Sequence, residues 1–170
     1  MAAPRQNPTS LPVPQTAEHG RVSHTIFRIA RLHRLLAAQL LRQAGLHPGQ
    51  ELVMMHLWDC GPQRLADLCG VLGTDSPTMT RTVQRLERAG FVRRSPDPTD
   101  GRAVLVEPTA ASQALRHQVE RMWRELEEAT LGDMDEDQQA ETLKVLGLLE
   151  CNLAVRTNRY APPDGATGSA

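Results

Sequence analysis

Short hydroxyl side chains and arginines recur at helical spacing between residues 76 and 85. The set comprises Ser76, Thr78, Arg81, Thr82 and Arg85, and it interleaves with an apolar series formed by Met79, Val83 and Leu86. An arginine fork can pair with guanine O6 and N7 or with phosphate oxygens, while small hydroxyls allow a close backbone approach. The pattern therefore predicts a helix that buries one face and presents a nucleic-acid-reading face on the other.

The residues at both ends of this segment predict where the helix starts and stops. Ser76 is a natural N-cap, and Pro77 suits the first helical position because it lacks an amide proton that would be unpaired there. Gly90 predicts the end, so the helix should run from Pro77 to Ala89. A shorter helix from about Gln63 should precede it, with an apolar side formed by Leu65, Leu68 and Leu72, and Gly73 should end it.

A β-hairpin with a charged tip is predicted after the helix. Residues 91–94 alternate weakly, the loop SPDPTDGR follows, and residues 103–107 read as a strand. Arg102 is the last residue of this loop, so its side chain could enter a DNA minor groove, whose negative potential attracts arginine. Asp97 and Asp100 are interpreted either as groups that orient the arginines or as simple turn residues.

Charge is sorted along the chain, although the formal net charge is only −1. Residues 21–42 carry five arginines and no acid, residues 81–102 carry six arginines and three acids, and residues 125–141 carry eight acids without Lys or Arg. Such blocks can also be solvated helix faces. Nucleic-acid binding would have to depend on local positive charge, which coincides with the predicted helix and hairpin.

The rest of the sequence predicts a mainly α fold with a small β wing. Aromatic residues make up 3% of the chain, and helix formers dominate it. Apolar spacing predicts helices at about 22–44, from Pro48 to about Asp59, after Thr109 as far as a break near Gly132, and from about Glu136 to Thr157. The first helix has the apolar series Val22, Ile26, Ile29, Leu36 and Leu40, and the helix after Thr109 has the series Leu115, Val119, Met122 and Leu126. Residues 1–20 and 158–170 should be disordered tails around a single domain at 21–157.

The order of short helix, turn, second helix and hairpin resembles the MarR family of transcriptional regulators. The segment that carries the resemblance is LADLCGVLGTDSPTMTRTVQRLERAGFVRRSPDPTDGRAVLVEPT. Leu86-Glu87-x-x-Gly90 matches the turn that ends the family's recognition helix, and Asp100-x-Arg102 matches its wing. The resemblance covers about residues 22–157. It implies a winged helix-turn-helix at about 47–107, flanked by dimerisation helices at about 22–44 and 109–157. Gly101 departs from the family pattern, which often has a basic residue there, so the wing contact should depend on Arg102.

The resemblance implies a homodimer that binds a palindromic operator, in the manner of a ligand-responsive repressor. The predicted contacts to double-stranded DNA are Ser76, Thr78, Arg81, Thr82, Arg85, Arg94 and Arg102. A small aromatic or amphipathic effector should bind between the dimerisation helices and the reading head. The candidate residues for that pocket are His33, Met54, His56, Trp58, His117 and Trp123.

Other functional classes have weaker support in the sequence. Enzyme motifs such as GxSxG, HExxH, the P-loop and GxGxxG are absent, so neither catalysis nor a cofactor is expected. A winged-helix protein-interaction module without DNA binding is the main alternative. A thiol-responsive or a metal-responsive regulator is a further alternative. Cys60, Cys69 and Cys151 are better interpreted as inert structural cysteines, and the histidines are too scattered to indicate a metal site. No membrane-spanning run is present, so a soluble, cytoplasmic protein is expected.

Overall fold

The computed structural model describes residues 13–160, which pack as one unit ending at Glu127 and a second beginning at Glu128. The first unit contains, in order, a short 3-10 helix (Gln15–Gly20), α1 (Arg21–Gln43), α2 (Gln50–Cys60), β1 (Gln63–Arg64), α3 (Leu65–Leu72), α4 (Ser76–Arg88), β2 (Val92–Pro96) and β3 (Val104–Pro108). Helix α5 (Ser112–Leu131) crosses the boundary between the units, and α6 (Glu136–Tyr160) belongs to the second. The predicted mainly helical architecture with a small wing is confirmed.

Glycines end the two helices that the sequence pairs as a helix-turn-helix. After α3, Gly73 adopts φ +58°, and the Thr74 amide donates to the Cys69 carbonyl at 3.0 Å. After α4, Gly90 adopts φ +80°, and the Phe91 amide donates to the Leu86 carbonyl at 2.9 Å. A side chain with a β-carbon disfavours this left-handed conformation, so both predicted helix ends are confirmed.

The wing is a three-stranded antiparallel sheet in the order β1-β3-β2. Strand β2 pairs with β3 along its length, with Arg94 opposite Val106, as the predicted hairpin requires. The sequence-based start of α3 at Gln63 is wrong, because Gln63 and Arg64 form β1 and pair with the other edge of β3. That pairing joins segments some forty residues apart, so local periodicity gives no sign of it.

The core of the first unit lies between the helix-turn-helix, α2 and the sheet. Met79, Val83 and Leu86 are fully buried, which confirms the predicted apolar face of α4. The face predicted for the helix after Thr109 is also confirmed, since the buried residues of α5 include Leu115, Val119, Met122 and Leu126. The core therefore holds α4 by one side only and leaves its other side to solvent.

Two predicted details of α1 and α2 are wrong. Pro48 does not start α2, because Gly49 takes the N-cap position with φ +91° and the helix begins at Gln50. Val22 and Ile29 belong to the predicted apolar series of α1, yet both are exposed. An apolar side chain is buried only where another element covers it, and the single chain leaves these two uncovered.

The predicted tails are partly ordered. Residues 15–20 form the 3-10 helix, in which the Ala17 amide donates to the Pro14 carbonyl at 2.8 Å, and residues 158–160 continue α6. Disorder was therefore the wrong prediction for these two stretches, because each continues into or out of a long helix. The remaining predicted tail residues, 1–12 and 161–170, lie outside the described residues.

Helix α6 begins with a reciprocal cap. The Gln138 amide donates to Asp135 Oδ1 at 2.9 Å, and the Asp135 amide donates to Gln138 Oε1 at 3.1 Å. This arrangement satisfies two backbone donors at the helix start, as predicted near Glu136. The helix exposes a series of large apolar residues, namely Leu143, Val145, Leu146, Leu148, Leu153 and Val155. Within the described part of the chain, no helix is both long enough and apolar enough to cross a membrane.

Candidate DNA-binding surface

Asp75, not Ser76, caps helix α4. The Thr78 amide donates to Asp75 Oδ1 at 2.9 Å, and the Thr78 hydroxyl donates to Asp75 Oδ2, also at 2.9 Å. These two bonds, helped by the positive charge of Arg81, hold the pKa of Asp75 below its usual range. Ser76 is therefore the first residue of the helix and Pro77 the second, which corrects the predicted positions of both.

The cap changes the electrostatics of the helix N-terminus. An uncapped N-terminus carries partial positive charge that attracts a phosphate. Here the Asp75 carboxylate already binds the Thr78 amide, so a phosphate at this end would face an anion. Ser76 and Thr78 remain exposed, and the hydroxyl of the half-buried Thr82 donates to the Thr78 carbonyl at 2.9 Å. The positive charge of α4 therefore comes from its arginines.

Arg81 and Arg85 lie on the side of α4 opposite the buried stripe. Both are exposed, and one helical turn separates them. The next turn adds Arg88, also exposed, so basic side chains extend along the helix. The structure brings these arginines together as the spacing predicts.

The wing tip is a closed turn that presents Arg102. The Asp97 amide donates to the Ala103 carbonyl at 3.0 Å, and the Ala103 amide donates to the Asp100 carbonyl at 2.8 Å. Within the turn, the Arg102 amide donates to Asp100 Oδ1 at 3.1 Å, while the Arg102 side chain is exposed. Asp100 thus holds the backbone from which Arg102 projects.

Asp97 is the most highly bonded carboxylate of the wing. Its Oδ1 accepts from the Thr99 amide at 2.7 Å, the Thr99 hydroxyl at 2.6 Å and the Asp100 amide at 3.2 Å. Its Oδ2 accepts from Arg64 Nε at 2.6 Å. These donors hold the pKa of the buried Asp97 far below its usual range. Both sequence interpretations of Asp97 contain part of the answer, since it shapes the turn and also binds an arginine.

Arg64 belongs to the hydrogen-bond network of the wing tip, and the sequence analysis missed it. It lies on β1 and reaches Asp97 across 33 positions of sequence, a relation that spacing cannot reveal. The only local signal is a basic residue directly before the apolar run of α3.

Arg94 is engaged in an ion pair. Its Nε donates to Glu87 Oε2 at 2.8 Å and its Nη2 lies 2.6 Å from the same atom, which lowers the pKa of Glu87. Glu87 belongs to α4 and Arg94 to β2, so the pair ties the recognition helix to the wing. The neighbouring Arg93 forms a similar pair with Glu107 across β2 and β3. Arg94 therefore carries less unbalanced charge than Arg81, Arg85 or Arg102.

The six effector-pocket candidates have different surroundings. Trp58 is half-buried, donates its indole N–H to Ser112 Oγ at 3.0 Å, and borders a cavity of about 150 Å³ that Met55 and Val119 also line. Met54 is fully buried in the core, and Trp123 packs partly against it. His56 contacts Cys60, His117 is exposed beside Glu120, and His33 is half-buried on α1.

The three cysteines differ in their exposure to solvent. Cys60 and Cys151 are exposed free thiols, and Cys69 is half-buried. Cys60 lies at the last turn of α2 and Cys151 on an uncovered part of α6, so neither is a buried core residue. Among the residues that the structure describes, no three His, Cys, Asp or Glu side chains come together as a set of metal ligands.

Comparison with known proteins places this geometry among regulators. A model of the MarR family matches residues 46–104. YwoH of Bacillus subtilis, an uncharacterized HTH-type transcriptional regulator, is 33% identical over 118 residues, covering 69% of this chain and 85% of YwoH. The HTH-type transcriptional repressor NicR of Pseudomonas putida is 27% identical over 144 residues, covering 84% of this chain and 91% of NicR. The structure of reduced AbfR bound to DNA is 26% identical with a TM-score of 0.66, covering 84% of this chain and 96% of AbfR.

Proposed function

This chain belongs to the MarR family of transcriptional regulators, and from that premise we propose that it binds duplex DNA through α4 and the wing. The observation that carries the proposal is the position of three exposed basic side chains. Arg81 and Arg85 are exposed on the uncovered side of α4, and Arg102 is exposed on the tip of the wing that the Glu87–Arg94 pair ties to that helix. A helix fits the major groove, and an arginine on a β-tip fits the minor groove.

In this proposal the protein acts as a cytoplasmic repressor and not as an enzyme. Two copies related by a two-fold axis place two copies of α4 on half-sites about one helical turn apart, so the operator is palindromic. The exposed side chains of Ser76 and Thr78 lie at the start of α4, where in this proposal they approach sugars and base edges, since a phosphate there would face the Asp75 carboxylate. A protein-interaction module without DNA binding is less well supported, because the outward face of α4 carries arginines and no acid before Glu87.

The test of DNA binding replaces one proposed contact on α4 and one on the wing tip. A duplex about 30 base pairs long, selected from a random library with the wild-type protein, holds both half-sites. Arg81→Ala and Arg102→Ala should each weaken binding by about 1–3 kcal/mol in fluorescence anisotropy at one salt concentration. Arg124→Ala is the control, because Arg124 is an exposed arginine of α5 remote in sequence from both elements. Wild-type affinity in both Arg81→Ala and Arg102→Ala would contradict the proposed surface.

A small aromatic or amphipathic effector is the second part of the proposal, with Trp58 as its best-supported contact. The Trp58 cavity combines an apolar wall with Arg116, whose guanidinium carbon lies 5.9 Å from the centre of the Trp58 ring. Apolar walls with a few polar groups are typical of small-molecule sites. Asp59 and Glu120 also line the cavity and pair with Arg116 at 3.6 and 3.2 Å. An aromatic ligand carrying a carboxylate would therefore lie beside Trp58 and bind Arg116 by displacing these two acids.

Tryptophan fluorescence can locate such a ligand, because the chain has only two tryptophans and both are candidates. A series of aromatic carboxylates, starting with benzoate, is titrated into Trp58→Phe and Trp123→Phe. A compound that lowers DNA affinity should quench the emission of Trp123→Phe, which retains Trp58, by about half and leave Trp58→Phe almost unchanged. The opposite pattern would place the ligand near Trp123 and remove the Trp58 cavity from the proposal.

A further inference from the structure

Arg64 connects the base of the winged helix to the tip of the wing. It is the second residue of the two-residue strand β1, opposite Leu105 of β3, and Leu65 begins α3 directly after it. Its side chain leaves this strand and reaches the far end of the hairpin at residues 97–99. One residue thus joins the start of the helix-turn-helix to a loop that the two wing strands alone would hold only at its ends.

The contact of Arg64 with the tip has two points. Nε donates to Asp97 Oδ2 at 2.6 Å, and Nη2 donates to Thr99 Oγ1 at 3.0 Å. The Thr99 hydroxyl in turn donates to Asp97 Oδ1 at 2.6 Å, so the three side chains close a ring. A planar guanidinium can make two such bonds in a fixed orientation, whereas an ammonium group makes a single point contact.

A series of hydrogen bonds leads from this ring to Arg102. Asp97 Oδ1 accepts from the Asp100 amide at 3.2 Å, and Asp100 Oδ1 accepts from the Arg102 amide at 3.1 Å. Asp97 is 6% exposed, so without Arg64 its carboxylate would be buried with one oxygen lacking its cationic donor. The turn would then lose the anchor that sets its orientation relative to α3 and α4.

We propose that Arg64 is a positioning residue for DNA recognition, which holds the wing tip through Asp97 and Thr99 so that Arg102 enters the minor groove in register with α4. The inference rests on the proposed function, and it adds a residue outside both the recognition helix and the wing hairpin. Arg64 acts through the Asp97 network and does not itself contact DNA. Its side chain is 42% exposed, so a direct phosphate contact is the rival explanation that the test has to separate.

The test combines single and double variants on the selected duplex used above. Arg64→Gln should weaken binding about tenfold, and Arg64→Lys should recover part of that loss because lysine can still bind Asp97 at one point. Asp97→Asn keeps an oxygen for the Thr99 and Asp100 donors but weakens the bond with Arg64, so it should also lower the affinity. Arg124→Gln is the matched control and should bind like the wild type.

The double variants separate positioning from direct contact. If Arg64 acts through Arg102, adding Arg64→Gln to Arg102→Ala should change the affinity by less than about twofold, whereas independent contacts would multiply their losses. The slope of log affinity against log salt should fall by about one per protomer in Arg102→Ala and fall no further in the double variant. The inference would be overturned if the slope fell further in the double variant and Asp97→Asn bound DNA like the wild type. That combination would show that Arg64 contacts a phosphate directly.

Hydrogen exchange supplies a readout that does not depend on DNA. In Arg64→Gln the amides of Thr99, Asp100 and Arg102 should exchange faster, while those of α4 keep their protection. Unchanged exchange at the tip would overturn the inference, as would wild-type affinity of Arg64→Gln for a duplex that the wild-type protein binds. Failure of the wild-type protein to select any duplex would instead overturn the proposed function, and this inference with it.

Discussion

Glu51 is a carboxyl group that the fold places where a carboxylate is poorly solvated. It lies in the first turn of α2, is 7% exposed, and its Oε2 has no hydrogen-bond partner among the residues that the structure describes. Burial raises the pKa of Glu51, although backbone donors at Glu51 and Gly49 act in the opposite direction. The charged form is therefore a source of instability near neutral pH.

Glu51→Gln should make the folded protein more stable at neutral pH by about 1 kcal/mol, on the scale of one unsatisfied buried polar atom. Because the pKa of Glu51 is higher in the folded state, the folded state binds a proton at Glu51 more tightly than the unfolded state does. Wild-type stability should therefore fall, relative to Glu51→Gln, as the pH rises above the ordinary value of 4.5. Below that pH both states hold a neutral side chain, and the difference should vanish.

Urea unfolding at about pH 4 and pH 8, followed by circular dichroism at equal protein concentration, measures this difference. Glu127→Gln, at an exposed position of α5, is the control and should show little effect at either pH. A Glu51→Gln variant that is less stable than the wild type at the higher pH would show that the carboxylate has a favourable partner there.

Residue-level prediction succeeded where the helical period decides exposure and failed where a partner is distant in sequence. Arg81 and Arg85 had to face solvent once Met79, Val83 and Leu86 were buried. The cap was misplaced by one residue because Asp75 and Ser76 are both good N-cap types, and only geometry shows which one accepts the Thr78 amide. Nothing local distinguishes Arg64 from an ordinary first-turn arginine.

At the scale of elements, helices bounded by glycine were predicted closely and the short strand was not. Gly73, Gly90 and Gly132 each adopt positive φ at the end of a predicted helix, because the left-handed conformation there selects glycine. Strand β1 has only two residues, which are too few to show a strand pattern in the sequence. It forms because these residues pair with the edge of β3. The effector pocket stays a prediction for a related reason, since a cavity depends on how several elements pack.

The whole chain leaves apolar surface uncovered in both of its units. In the first unit α1 exposes Val22, Phe27, Ile29, Leu32 and Leu35, and in the second α6 exposes Leu143, Leu146, Leu148 and Leu153. Large apolar side chains that recur along an exposed helix are typical of an association site. The proposed homodimer supplies a second copy to cover these faces, and it assigns α1 and α6 to dimerisation.

The protein should therefore sediment as a dimer at micromolar concentration in analytical ultracentrifugation. Leu146→Glu combined with Leu153→Glu places charges within the uncovered face of α6, so it should shift the protein towards monomer and weaken operator binding more than about tenfold. Lys144→Glu adds the same side chain at a polar position of α6 and should remain dimeric. A wild-type protein that stays monomeric at all concentrations would contradict both the dimer and the palindromic operator.

The outer strand of the wing has a bearing on solubility as well as on binding. Within the described residues β2 pairs on one side only, with β3, so its other backbone edge is open. Exposed Arg93 and Arg94 lie along this strand, and Pro96 ends it. Charged side chains and proline at an open edge discourage another strand from adding to it, which protects a sheet against aggregation. The wing can therefore project into solvent towards a polyanion without offering its backbone as a template for fibril growth.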